Sequence, residues 1–379
     1  MMWIALFAVL IILSIAAVFY LVSRMHRFSF IKRLEKKNKI LSWTVSVIPV
    51  IALGLAFYMI NLWSVIIVFI HLFVFWVGCD IIAAFVRKIK SKKNPGTDPE
   101  KIRKNYEGLA AVLITTVYLG IGWYLAHHVF VTQYQINTAK SLGQERLRVV
   151  EIADSHLGIT LDGEKFARQI ERINQTNPDI LVVAGDFVDD DSERDDMIRA
   201  CEALGNADTK YGVYFIFGNH DKGYYESYRN FKTDELVSEL KKNNVVILED
   251  ESMLVNDSFY VIGRQDRSEE QRSGGRASMQ EIMQSLDYSK YMITLDHQPN
   301  AYDEEAGSGV DLVLSGHTHG GHIFPAGQIG LWIKANDRVY GTEKRNNTDF
   351  IVTSGISGWA IPFKTGTFSE FVIIDIFQK

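Results

Sequence analysis

The sequence predicts two regions in two solvents: a four-helix transmembrane region, then an α/β layered domain. Three observations carry this. Apolar side chains crowd the first third of the 379 residues and charges crowd the rest, although the averages, 47% hydrophobic and 22% charged, would suit an ordinary soluble chain. From about residue 147 short β-branched runs alternate with amphipathic stretches. Carboxylates and imidazoles gather directly after those runs. Only two cysteines occur, Cys79 and Cys201, which excludes a disulfide scaffold, a thiolate zinc site and a redox pair. The formal net charge of −5 argues against nucleic acid as a partner.

The apolar runs cover roughly residues 2 to 22, 41 to 60, 63 to 86 and 108 to 126, each close to the ~20 residues a helix needs to cross the hydrocarbon core. No Lys or Arg precedes the first and no small-residue cleavage site follows it, so it is expected to be retained. Seven cations lie between the first two runs (Arg24, Arg27, Lys32, Arg33, Lys36, Lys37, Lys39) and eight between the last two (Arg87, Lys88, Lys90, Lys92, Lys93, Lys101, Arg103, Lys104). The turn at Asn61 and Leu62 has none. Positive-inside bias then assigns both basic loops to the cytoplasm and everything after the fourth helix to the other side. The expected location is the cell membrane, multi-pass, with the second domain extracytoplasmic. Within the spans His71 and Asp80 are too few to mark a transport path. Asp80 is expected to pair with Arg87 or Lys88, and His71 to bond a neighbouring helix.

The expected bounds are 1–130 for the membrane region, 131–146 for a linker and 147–379 for the α/β domain. LRVVEIA, DILVVAG, GVYFIFG, YMITLDH and VDLVLSG read as buried strands, and EKFARQIERINQ, RDDMIRACEAL, DELVSELKKN and MQEIMQSL have helical spacing. Roughly 230 residues suffice for a separate core. The first strand leads into Asp154 and His156, the second into Gly185, Asp186 and Asp189, the third into Gly218, Asn219, His220 and Asp221. The fourth leads into Asp296 and His297, the fifth into Gly316, His317, Thr318 and His319. Five strand ends thus present carboxylates, imidazoles and an amide to a common edge, where open α/β sheets place their sites. Such a set is suited to metal. In an extended segment residues two apart point the same way, so Asp154 and His156 are expected to meet one ion. A bend after Gly316 can send His317 and His319 to neighbouring ions. A shell of Asp, Asn and His without sulfur suits Mn, Fe, Zn, Co or Ni better than Cu(I), and is too nitrogen-rich for Ca.

The motifs D-S-H at 154–156, G-D-F-V-D at 185–189, G-N-H-D at 218–221, His297 and G-H-T-H at 316–319 resemble, in order, the full signature of the calcineurin-like metallophosphoesterases, over roughly residues 147 to 376. G-H-T-H-G-G, S-G-I-S-G-W at 354–359 and Ser369-Glu370 resemble that superfamily's bacterial membrane-anchored branch with four N-terminal transmembrane helices. His322 departs from it, since the branch often carries Gln there. The resemblance implies a two-layer β-sandwich flanked by helices (αββα) that holds two divalent metal ions, Mn first among the candidates. It implies Asp154, His156 and His319 on one ion, Asn219, His297 and His317 on the other, and Asp186 bridging them. A metal-bridged hydroxide would attack phosphorus in line. His220 would stand by the leaving oxygen as general acid or transition-state donor, oriented by Asp189. Asp221 is read as a structural hydrogen-bond partner, His322 as a residue in the right loop but outside the signature, with a substrate contact left open, and Arg264 and Asp266 as a surface ion pair in preference to lining the site.

Fewer than thirty residues separate the fourth apolar run from Asp154, so the site is expected to stay near the bilayer. Trp332, Trp359, Ile361 and Phe363 either meet lipid, as interfacial aromatics do, or pack under the sheet. The expected activity is that of a phosphoric ester hydrolase acting on a phosphate ester or pyrophosphate, lipid-linked by preference. Relatives implicated in lipid-pyrophosphate hydrolysis point the same way. The alternatives are a phosphodiesterase or phosphatase acting on soluble nucleotides or other extracytoplasmic phosphoesters, a ligand-binding membrane sensor, or a transport subunit. A sensor would have no use for the intact His220 and Asp189, and the helices lack a polar path for transport.

Overall fold

In the computed structural model, residues 2–93, 106–223, 229–272 and 274–379 are described, and the chain divides into two units, Met1–Ile121 and Gly122–Lys379. The first holds α1 (Met2–Met25), α2 (Ser29–Glu35), α3 (Lys39–Tyr58), α4 (Leu62–Lys93) and most of α5 (Tyr106–His127). By length and composition three of these can cross a membrane, and the 77° bent pair Val9–Met25 with Ser29–Glu35 can supply a fourth span. Ala17, Leu21, Val50, Phe69, Leu72, Trp76 and Ala111 pack between them. Their outward faces are apolar too, with Ile12, Phe19, Ile40 and Leu113 all exposed. Helices apolar all round suit lipid and not water.

Two expectations fail in this unit. Asp80 pairs with Arg24 at 2.9 Å and accepts from the Tyr20 hydroxyl at 2.9 Å, both on α1, while Arg87 pairs with Glu107 at 2.5 Å. A carboxylate among apolar helices takes the nearest cation across the packed face, and here that cation ends α1. His71 Nδ1 lies 2.7 Å from the Ile67 carbonyl of its own helix, and only its ring meets Tyr118 of α5, at 5.6 Å. Lys101, Arg103 and Lys104 lie outside the described residues.

Among its described residues the second unit has twelve strands: β1 (Val129–Thr138), β2 (Arg146–Ile152), β3 (Ile180–Ala184), β4 (Val213–Ile216), β5 (Val246–Ile247), β6 (Glu251–Val255), β7 (Phe259–Gly263), β8 (Tyr291–Leu295), β9 (Leu312–Ser315), β10 (Gly341–Arg345), β11 (Thr348–Val352) and β12 (Ser369–Gln378). One six-stranded sheet runs β1-β12-β2-β3-β4-β5, the other β10-β11-β9-β8-β7-β6. Alternation along β2 explains why they stack: Leu147 and Val149 face the inter-sheet core with Val261, Ile293 and Leu314 of the other sheet. Val150 and Ile152 face the opposite side, under Phe166, Ile170, Met197 and Leu236. Those last four come from α6 (Gly163–Asn174), α7 (Arg194–Gly205) and α8 (Thr233–Lys242). The short helices α9 (Glu269–Arg272), α10 (Met279–Met283), α11 (Tyr302–Ser308) and α12 (Ala326–Trp332) follow. Met279, Met283 and Tyr302 of α10 and α11 cover the outer face of the second sheet against Val313 and Phe350. This is the expected two-layer sandwich between helices. Strands β2, β3 and β4 are parallel, as are β7, β8 and β9, so the loops after them share one edge.

Residues 131–146 are not all linker. Most of β1 lies there, paired in parallel with β12 from Val129↔Ser369 to Thr138↔Gln378. Its burial alternates because one face covers the core and the other faces out.

Candidate metal centre

Two main clusters, and a third that shares His156, form among the described residues where the strands end. The ligand atoms of Asp154, His156 and His319 lie within 4.8 Å of one another, as do those of Asp186, His297 and His317, and those of His156, Asp189 and His220. Asp186 Oδ2 stands 3.6 Å from His156 Nε2 and 3.0 Å from His297 Nε2, so one carboxylate faces both main clusters. His317 and His319 go to different clusters. Asn219 is buried on the turn between Gly218 and His220, and the His220 N–H donates to Asp186 Oδ1 at 2.8 Å.

The backbone that aims these groups differs from the extended geometry expected at Asp154 and His156. Strand β2 ends at Ile152, and Asp154 (φ 54°) and His156 (φ 35°) are left-handed, as are Asp186 (51°), His317 (68°) and His319 (48°). Each such non-glycine residue costs on the order of 1–3 kcal/mol, and strain of this kind persists at sites where a precise constellation is held.

Hydrogen bonds behind the rings set their lone pairs. His156 Nδ1 is 3.0 Å from Asp189 Oδ2 and His297 Nδ1 is 2.8 Å from the Ala184 carbonyl. Both partners only accept, so Nδ1 carries the proton and Nε2 turns inward. His156 Nε2 then meets His319 Nε2 at 3.2 Å, while His319 Nδ1 is buried without a hydrogen-bond partner among the described residues. Ring nitrogens crowded in this way, beside two carboxylates, fit a divalent cation in their midst.

Charge follows the same plan. Burial works to raise the Asp186 carboxyl, but His297, His220 and His156 outweigh it and hold the group well below the usual carboxylate range. Burial, with help from His297, pushes His317 down to about 3. Burial and then His156 hold His319 well below its ordinary value. Both shifts favour the neutral imidazole, the form with a lone pair to offer a metal. His297 is the reverse: burial opposes its charge, yet Asp186 raises it well above the ordinary range. A metal entering here takes that proton's place. His220 Nδ1 lies 2.9 Å from Asp189 Oδ1. Burial disfavours its charged form, but Asp186 and Asp189 prevail and raise it to about 9. Asp189 thus bonds two rings, His156 and His220, and they hold it far below the carboxylate range against burial. The His156 contact has no sequence signal, because it follows from loop placement.

Further groups brace the loops. Asp221 accepts from the backbone N–H groups of Asp186, Phe187, Val188 and Gly218 at 2.7–3.0 Å, the structural part expected of it. A Cβ at Gly218 would overlap the Asp186 carboxylate and its backbone nitrogen. Gly218→Ala is therefore expected to destabilise the fold by about 1–3 kcal/mol and to lower metal content. Thermal unfolding and metal analysis check this, and an unchanged protein would show that the loop yields. Behind Asp154, the fully buried Lys364 donates to the carbonyls of Ser354 (2.6 Å) and Gly355 (3.3 Å). Glu370 accepts from Ser354 N (2.9 Å), Thr353 Oγ1 (3.1 Å) and the Tyr340 hydroxyl (3.1 Å). Burial depresses Lys364 to about 7 in spite of Asp154 and Glu370.

Arg264 and Asp266 do not form a surface pair. Arg264 is buried and meets Asp296 (3.2 Å), Glu304 (2.9 Å) and Glu305 (3.5 Å), while Asp266 accepts from Gln298 Nε2 at 3.0 Å. A guanidinium at the end of a fully buried strand requires carboxylates around it, and this one braces the loop of His297. Ile361 and Phe363 are buried, so of the four lipid candidates only Trp332 (79%) and Trp359 (37%) are exposed. Trp359 stands beside the site, its ring 5.5 Å from that of His220. His322 stacks on His319 at 5.2 Å.

Buried carboxylates and imidazoles aimed at a shared centre, on loops at one edge of a two-sheet sandwich, define an α/β domain with a candidate metal centre. The calcineurin-like phosphoesterase family matches residues 147–321. An uncharacterized metallophosphoesterase of Aquifex aeolicus (strain VF5) is 32% identical over 252 residues, 66% of this chain and 92% of that one. The chain belongs to the calcineurin-like metallophosphoesterases, hydrolases of phosphoric esters. An uncharacterized metallophosphoesterase of Helicobacter pylori (strain J99) is 28% identical, over 62% of this chain and 61% of its own length. A Danio rerio transmembrane protein with metallophosphoesterase domain is also 28% identical, over 61% and 53%. The chain thus spans less than two thirds of either of these two relatives. Likeness to solved structures is weak: TT1561 of Thermus thermophilus is 11% identical, with a TM-score of 0.36 over 54% of this chain and 88% of that one.

Proposed function

We propose that the chain is a membrane-anchored, dinuclear metal-dependent phosphoesterase that hydrolyses a lipid-linked phosphate ester or pyrophosphate outside the cytoplasm. The observation that carries the reading is Asp186 Oδ2, which faces His156 on one side and His297 on the other. Asp154, His156 and His319 would hold one ion, Asn219, His297 and His317 the second, and Asp186 both, with Mn ahead of Fe, Zn, Co or Ni. Bound ions would supply an activated water and neutralise phosphoryl charge. The chain's own part is then to position and to move one proton. Asp189 fixes His220 through Nδ1, and Nε2 would donate to the leaving oxygen.

The full chain, stripped by chelator and assayed on bis-(p-nitrophenyl) phosphate, is expected to turn over only when Mn or another of these metals is restored. Failure with all five would leave a ligand-binding role. The membrane-anchored branch is supported by the apolar helices of the first unit and by the transmembrane relatives. Multi-pass topology with the catalytic domain outside is a further expectation, because fifteen Lys and Arg in two loops oppose none in the intervening turn. Each such residue costs ~2.5–3.5 kcal/mol at a span's centre. A cysteine placed near Lys379 should react with an impermeant thiol reagent in intact cells, once any outer membrane is opened, and one near Lys92 should not. The reverse pattern would move the enzyme to the cytoplasm and favour a soluble nucleotide as substrate.

A further inference from the structure

The unit that carries the metal centre exposes an apolar run that its own core does not use. Phe324, Ile329, Leu331, Trp332 and Ile333 are 58, 38, 42, 79 and 42% exposed, a concentration that marks an interaction surface. The segment is not loose. In α12 Gly327 packs against Gly321, where an added Cβ would stand 2.9 Å from Cα of Gly321.

What covers it follows from its neighbours within the same unit. Phe324 N donates to Thr365 Oγ1 at 3.2 Å, and Thr365 N and Gly366 N both donate to the His322 carbonyl at 2.9 Å. The next residue back, Lys364, donates its N–H to the Gly122 carbonyl at 2.9 Å. Gly122 lies in the last turns of α5, a helix long and apolar enough to cross a membrane. Trp123 and Tyr124 follow, each 51% exposed, the ring types that settle at the membrane–water boundary. The boundary is therefore marked on this unit itself, and a short chain of hydrogen bonds leads from it to Phe324. Exposed Lys334, directly after the apolar run, suits anionic headgroups. On the other side the same loop reaches the metal centre, since His322 stacks on His319 and the half-exposed Trp359 lies beside His220.

We propose that residues 324–333, with Trp359, dock on the lipid surface of the bilayer that holds α5, and so bring the metal centre to the headgroup level where a chain-bearing phosphoester is presented. This rests on the reading of α5 as membrane-spanning and of the substrate as lipid-linked.

The test uses the full chain in nanodiscs of phosphatidylethanolamine and phosphatidylglycerol, in a Cys79→Ser/Cys201→Ala background. An environment-sensitive fluorophore is placed at Trp332→Cys or, as a control, at Tyr288→Cys, which is also open to labelling at 51% exposure and just precedes β8, whose far end carries the site. Doxyl lipids are expected to quench the 332 probe at least about twofold more than the 288 probe, as for an interfacial segment. Equal quenching overturns the docking. The second arm compares hexadecyl p-nitrophenyl phosphate in the disc with soluble bis-(p-nitrophenyl) phosphate. Leu331→Ser/Trp332→Ser is expected to lower the ratio of the two turnovers about tenfold or more, and an unchanged ratio overturns the presentation of substrate. If the 332 probe lies in lipid while the native chain gains nothing from the hexadecyl tail, docking stands and the lipid-linked substrate falls.

Discussion

Asp186→Ala is expected to abolish metal-dependent hydrolysis and to lower metal content with it. Its Oδ2 lies 3.6 Å from His156 Nε2 and 3.0 Å from His297 Nε2, and its Oδ1 accepts from His220 N at 2.8 Å. Removal takes away the proposed shared ligand and also the negative charge that raises His297 well above the ordinary imidazole range. His297 would then lose its nearest carboxylate in a buried space, which is costly. The loss should exceed the ~10–100-fold that removal of an outer-shell partner costs. Asp186→Asn tests charge apart from size, and should also fail because an amide oxygen is a poor bridge. Elemental analysis and turnover on bis-(p-nitrophenyl) phosphate read the result. A purified Asp186→Ala protein with full metal and ordinary turnover would sink the assignment of the centre.

Much of the site was legible because its chemistry sits where strands stop. Asp154, Asp186, His220, His297 and His319 each follow a β-branched run, and parallel strands bring those ends to one edge whatever the order of the sheet. The amphipathic stretches were legible for the same kind of reason: Phe166, Ile170 and Ile173 recur at helical spacing and all three are buried. What stayed hidden depends on contacts distant in the chain or on backbone the residues do not prefer. Thr132 and Glu370 touch across the β1–β12 pair, 238 residues apart; periodicity shows that β1 alternates but not what it lies beside. Left-handed turns at Asp154 and His156 cannot be read from an Asp and a His, because neither residue type prefers φ > 0 strongly enough to announce it. Burial of Arg264, and of Ile361 and Phe363, was decided by how the loops fold over the sheet edge. An Arg after a strand and an isoleucine in a loop look the same in sequence whether they face in or out. Asp189 was recognised as the partner of His220, and its second hold on His156 came only with the fold.

That second hold separates two variants. His220→Ala is expected to keep most of its metal, because His220 is joined to the centre through Asp189 and a backbone contact to Asp186, and its ring belongs to neither main cluster. Its turnover on a substrate with an alkyl leaving group should fall at least ~100-fold, the scale of general acid catalysis, while a nitrophenolate, which leaves without a proton, should suffer less. Asp189→Ala should do more. It frees His220 and also releases Nδ1 of His156, so metal affinity should fall by the ~10–100-fold that outer-shell partners are worth, in addition to the loss of the acid. Turnover for both leaving groups, measured with metal content in the two variants, distinguishes these outcomes. Equal losses for nitrophenyl and alkyl esters in His220→Ala would mean that the imidazole acts on phosphoryl charge and not on the leaving oxygen. Full metal affinity in Asp189→Ala would mean that His156 is aimed by its left-handed backbone alone.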